Sequence, residues 1–215
     1  MRIGTIAALT ATGLALSLGA PPPVSAPARA ASFNCAQAAS KTERAICGDA
    51  QLSALDGQIG LAYQQRLALA PATRQVQRGW LRVRDAGCEG DRACLRRFMT
   101  AQLAWLRSGN PLLSRTPTLV GTCELTTISK VDHRFEGEVG SGSYVEEAHG
   151  PGQVSYDEIP SITASRRGDP VLVCLAALPE DCPPGDDRGK VYAAANLRTL
   201  GVWALADSEH LCGGA

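Results

Sequence analysis

The sequence has few of the residues and motifs on which common enzyme sites depend. It contains three histidines, His133, His149 and His210, and none stands at close metal-ligand spacing to another, which disfavours a zinc site. It has no G-x-S-x-G nucleophile elbow. The run Asp207-Ser208-Glu209-His210 holds the residue types of a catalytic triad, but a triad needs partners that converge from separate segments. We therefore predict no catalytic residue, no metal ligand, no cofactor and no enzymatic activity.

The acidic clusters also lack the spacing that calcium binding or glycoside hydrolysis needs. Asp181, Asp186 and Asp187 do not follow the D-x-D-x-D pattern of a calcium loop, and a solvated turn is the simpler interpretation. Glu146-Glu147 and Asp157-Glu158 are neighbouring pairs, and neighbours on a strand point to opposite faces. We interpret these four residues as surface acids.

Long apolar runs are absent after the first residues of the chain. Residues 1–30 have the parts of a signal peptide: Arg2, an apolar stretch at 3–18, three prolines at 21–23 and an A-x-A cleavage site at 28–30. The alternative is an uncleaved anchor, since the stretch is nearly long enough to span a bilayer. The sequence predicts a periplasmic or secreted protein with no stable membrane insertion after signal removal.

The chain has an even number of cysteines, so every cysteine can be paired in a disulfide. Four cysteines lie in each half of the chain, namely Cys35, Cys47, Cys88 and Cys94, then Cys123, Cys174, Cys182 and Cys212. Behind a signal peptide, such a distribution predicts two disulfide frameworks in an exported protein. It also disfavours a cysteine nucleophile, because no free thiol is expected.

The chain has no net charge, but its two halves differ in sign. Residues 32–109 carry 11 Lys and Arg against 6 Asp and Glu, a net charge of +5, whereas residues 110–215 carry 8 against 15, a net charge of −7. An acidic exported domain favours a cationic partner and disfavours nucleic acid. Solubility alone is an equally good explanation of the charge.

The first half is patterned as a small helical bundle over residues 32–109. Ser40 and Glu43 match a capping box, and Asp49 can cap the following helix. Apolar residues then recur at three- and four-residue steps, while Arg74, Arg78 and Arg82 form a basic stripe on another helix face. Antiparallel helices bring cysteines to shared ends, so we favour the pairs Cys35–Cys47 and Cys88–Cys94.

This half resembles the N-terminal domain of the LprI family of exported lysozyme inhibitors. The residues that carry the resemblance are Cys35-Ala36, Glu43-Arg44-Ala45-Ile46-Cys47, Leu52-Ser53-Ala54-Leu55-Asp56, Tyr63, Gln77, Trp80-Leu81, Arg84-Asp85, Cys88 and Cys94. The resemblance implies a helical fold, an exported location and an inhibitory function. The chain departs from the family in two ways: Ser32-Phe33-Asn34 is no lipidation signal, and Gly57 and Gly79 stand where stronger helix formers are usual.

The second half is patterned as a β-rich domain, so the fold class is α+β in two domains. A linker at 110–117 precedes residues 118–215, in which short β-like runs alternate with Gly- and Pro-rich turns. The runs are 122–130, 153–156, 171–175 and 200–205. This pattern predicts a sandwich or barrel-like domain. It leaves the pairing of the last four cysteines open.

One loop of this half suits binding better than catalysis. Ser141-Gly142-Ser143-Tyr144 resembles a Ser-Gly-x-x-Tyr loop of periplasmic inhibitors of c-type lysozyme, which insert a polar loop into the enzyme's cleft. An aromatic anchor beside negative charge is typical of such contacts. The predicted partner contacts are Ser141, Ser143, Tyr144, Glu146 and Glu147.

Three functions are compatible with these observations. The first is a binding protein that inhibits lysozyme-type cell-wall lytic enzymes by occlusion, with a cationic muramidase as partner. The second is a structural or accessory module of the cell envelope. The third is an extracytoplasmic hydrolase whose site is built from noncontiguous residues.

Overall fold

The computed structural model describes residues 31–112, 115–150 and 152–214. The predicted signal peptide, residues 1–30, lies outside the described residues. In chain order the helices are a short 3-10 helix at Cys35–Gln37, α1 Lys41–Cys47, α2 Ala50–Leu69, α3 Thr73–Cys88, α4 Arg92–Ser108 and, between two strands, α5 Pro160–Thr163. The strands are β1 Cys123–His133, β2 Ser143–Glu147, β3 Gln153–Ser155, β4 Pro170–Ala177, β5 Val191–Asn196 and β6 Val202–Ala206.

The first helices begin where their capping residues predict. The Ser40 hydroxyl accepts from Glu43 N, and the Glu43 carboxylate accepts from Ser40 N, which completes the capping box of α1. Asp49 accepts from two backbone N–H groups at the start of α2. Cys35–Cys47 joins the 3-10 helix to the end of α1, and Cys88–Cys94 joins the end of α3 to the start of α4; both are the pairs that we expected.

The second half folds into a closed barrel of six antiparallel strands in the order β1-β2-β3-β6-β5-β4. The sequence predicted either a sandwich or a barrel-like domain, and the structure shows the barrel. Along β4 the side chains alternate: Val171, Val173 and Leu175 belong to the apolar cluster of the barrel interior, whereas Leu172 and Cys174 belong to the cluster that includes the helices. The remaining disulfides are Cys123–Cys174, between β1 and β4, and Cys182–Cys212.

Helix α3 packs on the outer face of β4 and β5, and two glycines allow its close approach. A Cβ atom at Gly79 would lie 2.5 Å from Leu197 Cδ2, and one at Gly87 would lie 3.1 Å from the Cβ atoms of both Ala176 and Ala193. The helices and the outer face of the barrel therefore share one hydrophobic core. The division into two separate domains stays a prediction.

Across the described residues, no helix combines the length and the hydropathy that a membrane crossing requires.

Candidate functional site

The barrel interior is apolar along most of its length but holds a polar cluster around two carboxylates. Glu124 on β1 and Glu147 on β2 are 1% and 2% exposed, and Gln153 on β3 is 0% exposed. Glu147 was interpreted from the sequence as a surface acid, and that interpretation is wrong. The strand alternation on which it was based does hold, because Glu146, the preceding residue, lies on the other face and is half-buried.

The cluster has more hydrogen-bond acceptors than donors. Gln153 Nε2 donates to Glu147 Oε1 at 2.6 Å. Both carboxylate oxygens of Glu124, Glu147 Oε2 and Gln153 Oε1 have no hydrogen-bond partner among the described residues. A Cβ atom at Gly150 would lie 3.1 Å from Glu147 Oε2 and 3.8 Å from Glu124 Oε1, so both carboxylates lie under the same turn. Unpaired buried acceptors are costly unless a proton or a cation satisfies them.

Burial raises the pKa of both carboxyl groups, and charge repulsion adds to the rise for Glu147. Burial, opposed by hydrogen bonds to the carboxylate and reinforced by the nearby charge of Glu124, raises the pKa of Glu147 to about 8. Burial also raises the pKa of Glu124, and the nearby His149 partly opposes that rise. The pair can therefore hold a proton at neutral pH. Because both side chains are enclosed, protonation of this cluster affects the stability of the barrel. A binding partner would have to contact another surface.

Such a surface lies where β1 ends and the loop to β2 begins. We call residues 132–142 and 155–158 the barrel lip. The Arg134 guanidinium lies 3.9 Å from the ring centroid of Phe135 and 4.3 Å from that of Tyr156, so it stacks on both rings. Phe135, Val139 and Tyr156 are 46%, 86% and 59% exposed, which makes the barrel lip an outward-facing apolar surface.

Hydrogen bonds hold the barrel lip together within and between its two segments. Arg134 Nε donates to Ser141 O at 2.9 Å within the first segment, and Gly140 N donates to Glu158 Oε1 at 3.1 Å between the two. A side chain at Gly142 (φ +111°) would collide with Ser155 O, so only glycine allows this approach. The exposed aromatic rings are thus held by the backbone around them, which lowers the entropy lost when a partner binds.

The barrel lip is also acidic. Its two segments contain five carboxylates, namely Asp132, Glu136, Glu138, Asp157 and Glu158, against the single cation Arg134, a net charge of −4. Three of the carboxylates have nearby partners, since Lys130 Nζ lies 3.4 Å from Asp132 and 3.3 Å from Glu136, and His133 Nδ1 lies 3.1 Å from Glu158. Exposed aromatic groups within a negative field are suited to a cationic protein surface.

The structure places the five predicted partner-contact residues in two different environments. Ser141, Tyr144 and Glu146 are half-buried and reach the surface in part. Ser143 and Glu147 are buried, and Ser143 Oγ accepts from Ile159 N at 2.7 Å inside the fold, so these two cannot meet a partner. Ser141 belongs to the barrel lip, whereas Phe135 and Tyr156, its exposed aromatic residues, were missed. The sequence gives little indication that these two residues share a surface, because they stand 21 positions apart.

The other polar groups considered from the sequence make local turn contacts. Ser208 Oγ donates to the backbone oxygen of His210 at 2.6 Å, and Asp207 Oδ1 accepts from Gly189 N at 2.8 Å. Arg188 pairs with Asp186 at 2.8 Å, as a local counter-ion would. Among the described residues, no group of three or more His, Cys, Asp or Glu side chains is arranged to hold a metal ion.

The chain is thus a disulfide-bonded protein in which helices pack on a closed six-stranded barrel. Three curated proteins, each named Lipoprotein LprI, one from Mycobacterium bovis and two from strains of Mycobacterium tuberculosis, are 32% identical to it over 120 residues. The match covers 52% of this chain and 60% of each relative, so the chain spans less than two thirds of the curated relatives that it matches. The similarity confirms the LprI-like relationship that the sequence motifs indicated.

No family model matches the sequence. No solved structure matches the fold.

Proposed function

We propose that this protein is an exported inhibitor that binds lysozyme-type cell-wall lytic enzymes and occludes their active site. The observation that carries the proposal is the barrel lip, which combines exposed aromatic residues with a net charge of −4. The sequence similarity to Lipoprotein LprI also supports the proposal. The inhibitor acts by contact and needs no catalytic residue of its own.

The disulfides support an extracytoplasmic location for this function. All eight cysteines are paired, and such bonds persist in the periplasm and outside the cell but are rare in the cytosol. A cationic muramidase is a partner available in that compartment. The acidic barrel favours its approach by electrostatic steering, whereas a nucleic acid would be repelled.

The aromatic residues of the barrel lip are the expected contact anchors. Tyrosine and other aromatic residues are enriched among the residues that dominate binding energy, and the surrounding charges mainly raise the association rate. We therefore expect Phe135 and Tyr156 to determine the lifetime of the complex, and Glu138 and Asp157, which have no ion-pair partner among the described residues, to determine its salt dependence.

A wall-lysis assay with the oxidised exported chain tests the proposal. We expect the protein to slow digestion of bacterial cell walls by a c-type lysozyme at low salt, and the effect to weaken as salt screens the attraction. The double variant Phe135→Ala with Tyr156→Ala is expected to bind lysozyme at least tenfold more weakly in a titration, since hot-spot truncations commonly cost 2 kcal/mol or more.

The matched control removes exposed apolar groups outside the barrel lip. Leu119 and Leu178 are 68% and 50% exposed, and the double variant Leu119→Ala with Leu178→Ala is expected to bind as the unchanged protein does. Absence of any complex with lysozyme at low salt would contradict the proposal and favour the accessory role in the envelope. Hydrolysis of wall material by the protein alone would favour a hydrolase instead.

A further inference from the structure

Helix α3 presents three arginines that no carboxylate of the described residues neutralises. Arg74, Arg78 and Arg82 are all exposed, and none of them forms an ion pair within the part of the chain that the structure describes. They recur every four residues, so they follow one side of the helix over about 12 Å at 1.5 Å per residue. We call these three residues the arginine stripe. Leu81, beside the stripe, is 39% exposed.

The arginine stripe stands on a rigid base. The opposite side of α3 is anchored by Trp80 and Val83, which are 1% and 0% exposed in the shared core. Gly79 and Gly87 hold the helix close to the barrel, as described above. Because α3 is packed against the barrel, the backbone positions of the three arginines are fixed relative to one another, and binding costs less backbone entropy than it would for a flexible tail.

The basic surface continues from α3 onto the end of the barrel. Gln75 Nε2 donates to Leu197 O at 3.0 Å, and Arg198 follows Leu197 directly. Arg198 and Arg166 share a single carboxylate, Asp169, at 2.5 and 3.5 Å, and that carboxylate is almost completely buried. The exposed Arg167 adds another cation at this end. Together with the arginine stripe, these residues bring the number of arginines to six, and Asp169 pairs with two of them.

We propose that the arginine stripe is a docking surface for the phosphate groups of anionic phospholipids, so that the helices lie on a membrane surface. Guanidinium groups pair with phosphate oxygens through two parallel hydrogen bonds, and basic residues near an anionic leaflet add to the attraction one by one. A row along one side of a helix, bordered by an exposed leucine, matches a lipid surface, which offers phosphate and apolar contacts side by side. The acidic barrel disfavours a long polyanion such as DNA, which would extend past the row.

This role is independent of the proposed inhibition, since it uses the helices and leaves the barrel lip unused. A protein held at a membrane by α3 would keep the barrel lip available to an enzyme. Binding to vesicles and binding to lysozyme are therefore separate measurements, and failure of one leaves the other standing.

Vesicle sedimentation with the full oxidised chain tests the proposal. We expect binding to vesicles of phosphatidylcholine with 30% phosphatidylglycerol at low salt, a loss of binding at high salt, and no binding to pure phosphatidylcholine. In the triple variant Arg74→Gln, Arg78→Gln, Arg82→Gln, the partition coefficient for the anionic vesicles is expected to fall at least tenfold.

The control variant removes the same charge elsewhere on the helices. Arg92, Arg97 and Arg107 are exposed residues of α4, and the triple variant Arg92→Gln, Arg97→Gln, Arg107→Gln has the same net charge as the stripe variant. We expect it to keep most of the binding. Equal losses in the two variants, equal binding to neutral vesicles, or tighter binding to soluble polyphosphate than to anionic vesicles would each overturn the proposal. Circular dichroism of both variants shows whether they fold.

Discussion

At the scale of single residues, Glu147 is the residue that the sequence could least predict. Strand alternation indicates that one of Glu146 and Glu147 points inward, but an apolar interior would be expected to reject either. The structure resolves the choice by placing Gln153 beside Glu147, six residues further along the chain and on the next strand, where Nε2 donates to the buried carboxylate. Such a partner depends on strand pairing, which the sequence pattern did not reveal because β2 was not recognised.

The raised pKa of Glu147 predicts a protein that loses stability as the pH rises from about 4.5 to about 8. The folded state holds its proton up to a pKa of about 8, whereas the unfolded chain releases it near 4.5, so the contribution is complete below pH 4.5 and is lost as the pH rises to 8. A shift of this size corresponds to about 4–5 kcal/mol. Urea unfolding at pH 5 and pH 9 measures the difference, and Glu147→Gln should remove most of it.

The neighbouring carboxylate provides the control for this measurement. Glu146→Gln changes the formal charge equally but alters a half-buried group on the outer face, so the pH dependence should persist in that variant. Equal stability of the unchanged protein at both pH values would refute the prediction.

At the scale of elements, α1 to α4 and the strands β1, β3, β4 and β6 could be predicted, whereas α5, β2 and β5 could not. The capping box at Ser40 and the cap at Asp49 define helix starts by local chemistry, which a sequence displays directly. Strand β5, with the sequence VYAAAN, lacks the β-branched run that marks a strand. Ala193 and Ala195 lie against α3, which leaves no room for larger side chains, and this tertiary reason is invisible in a local pattern.

The same close approach explains Gly79, which stands where the sequence led us to expect a stronger helix former, and also Gly87. Gly87→Val is expected to lower the free energy of unfolding by about 3 kcal/mol, because a larger side chain would overlap the Cβ atoms of Ala176 and Ala193. Ala93→Val, at an exposed position of α4, should cost less than about 1 kcal/mol, since only helix propensity changes. Thermal unfolding compares the two, and similar losses would show that packing is not the cause.

At the scale of the whole molecule, the disulfides bind segments that are close together and segments that are far apart in the chain. The pairs within the helical half were predictable from helix ends, whereas Cys123–Cys174 depends on the register of β1 against β4, which places these two residues opposite each other. The predicted division of the chain at residues 110–117 did not anticipate that helices and barrel share a core. Amphipathic patterns indicate that a face is buried but do not identify the surface that covers it.

The disulfides should therefore differ in how much they stabilise the fold. Cys123–Cys174 closes a separation of 51 residues and Cys88–Cys94 one of 6, so loop-closure entropy predicts losses of about 4 and about 2 kcal/mol when each pair is replaced by alanine. Denaturant titration of the two double variants under oxidising conditions measures the order. A larger loss for the short loop would contradict it.

The closure of the barrel restricts the ways in which any protein can recognise it. A sheet that closes on itself offers no free strand to template the addition of a foreign strand, so backbone pairing across an edge is excluded and edge-to-edge aggregation is suppressed. Recognition of this half must instead proceed through side chains and loop backbones, and its specificity can therefore diverge by loop substitution while the strand framework stays unchanged.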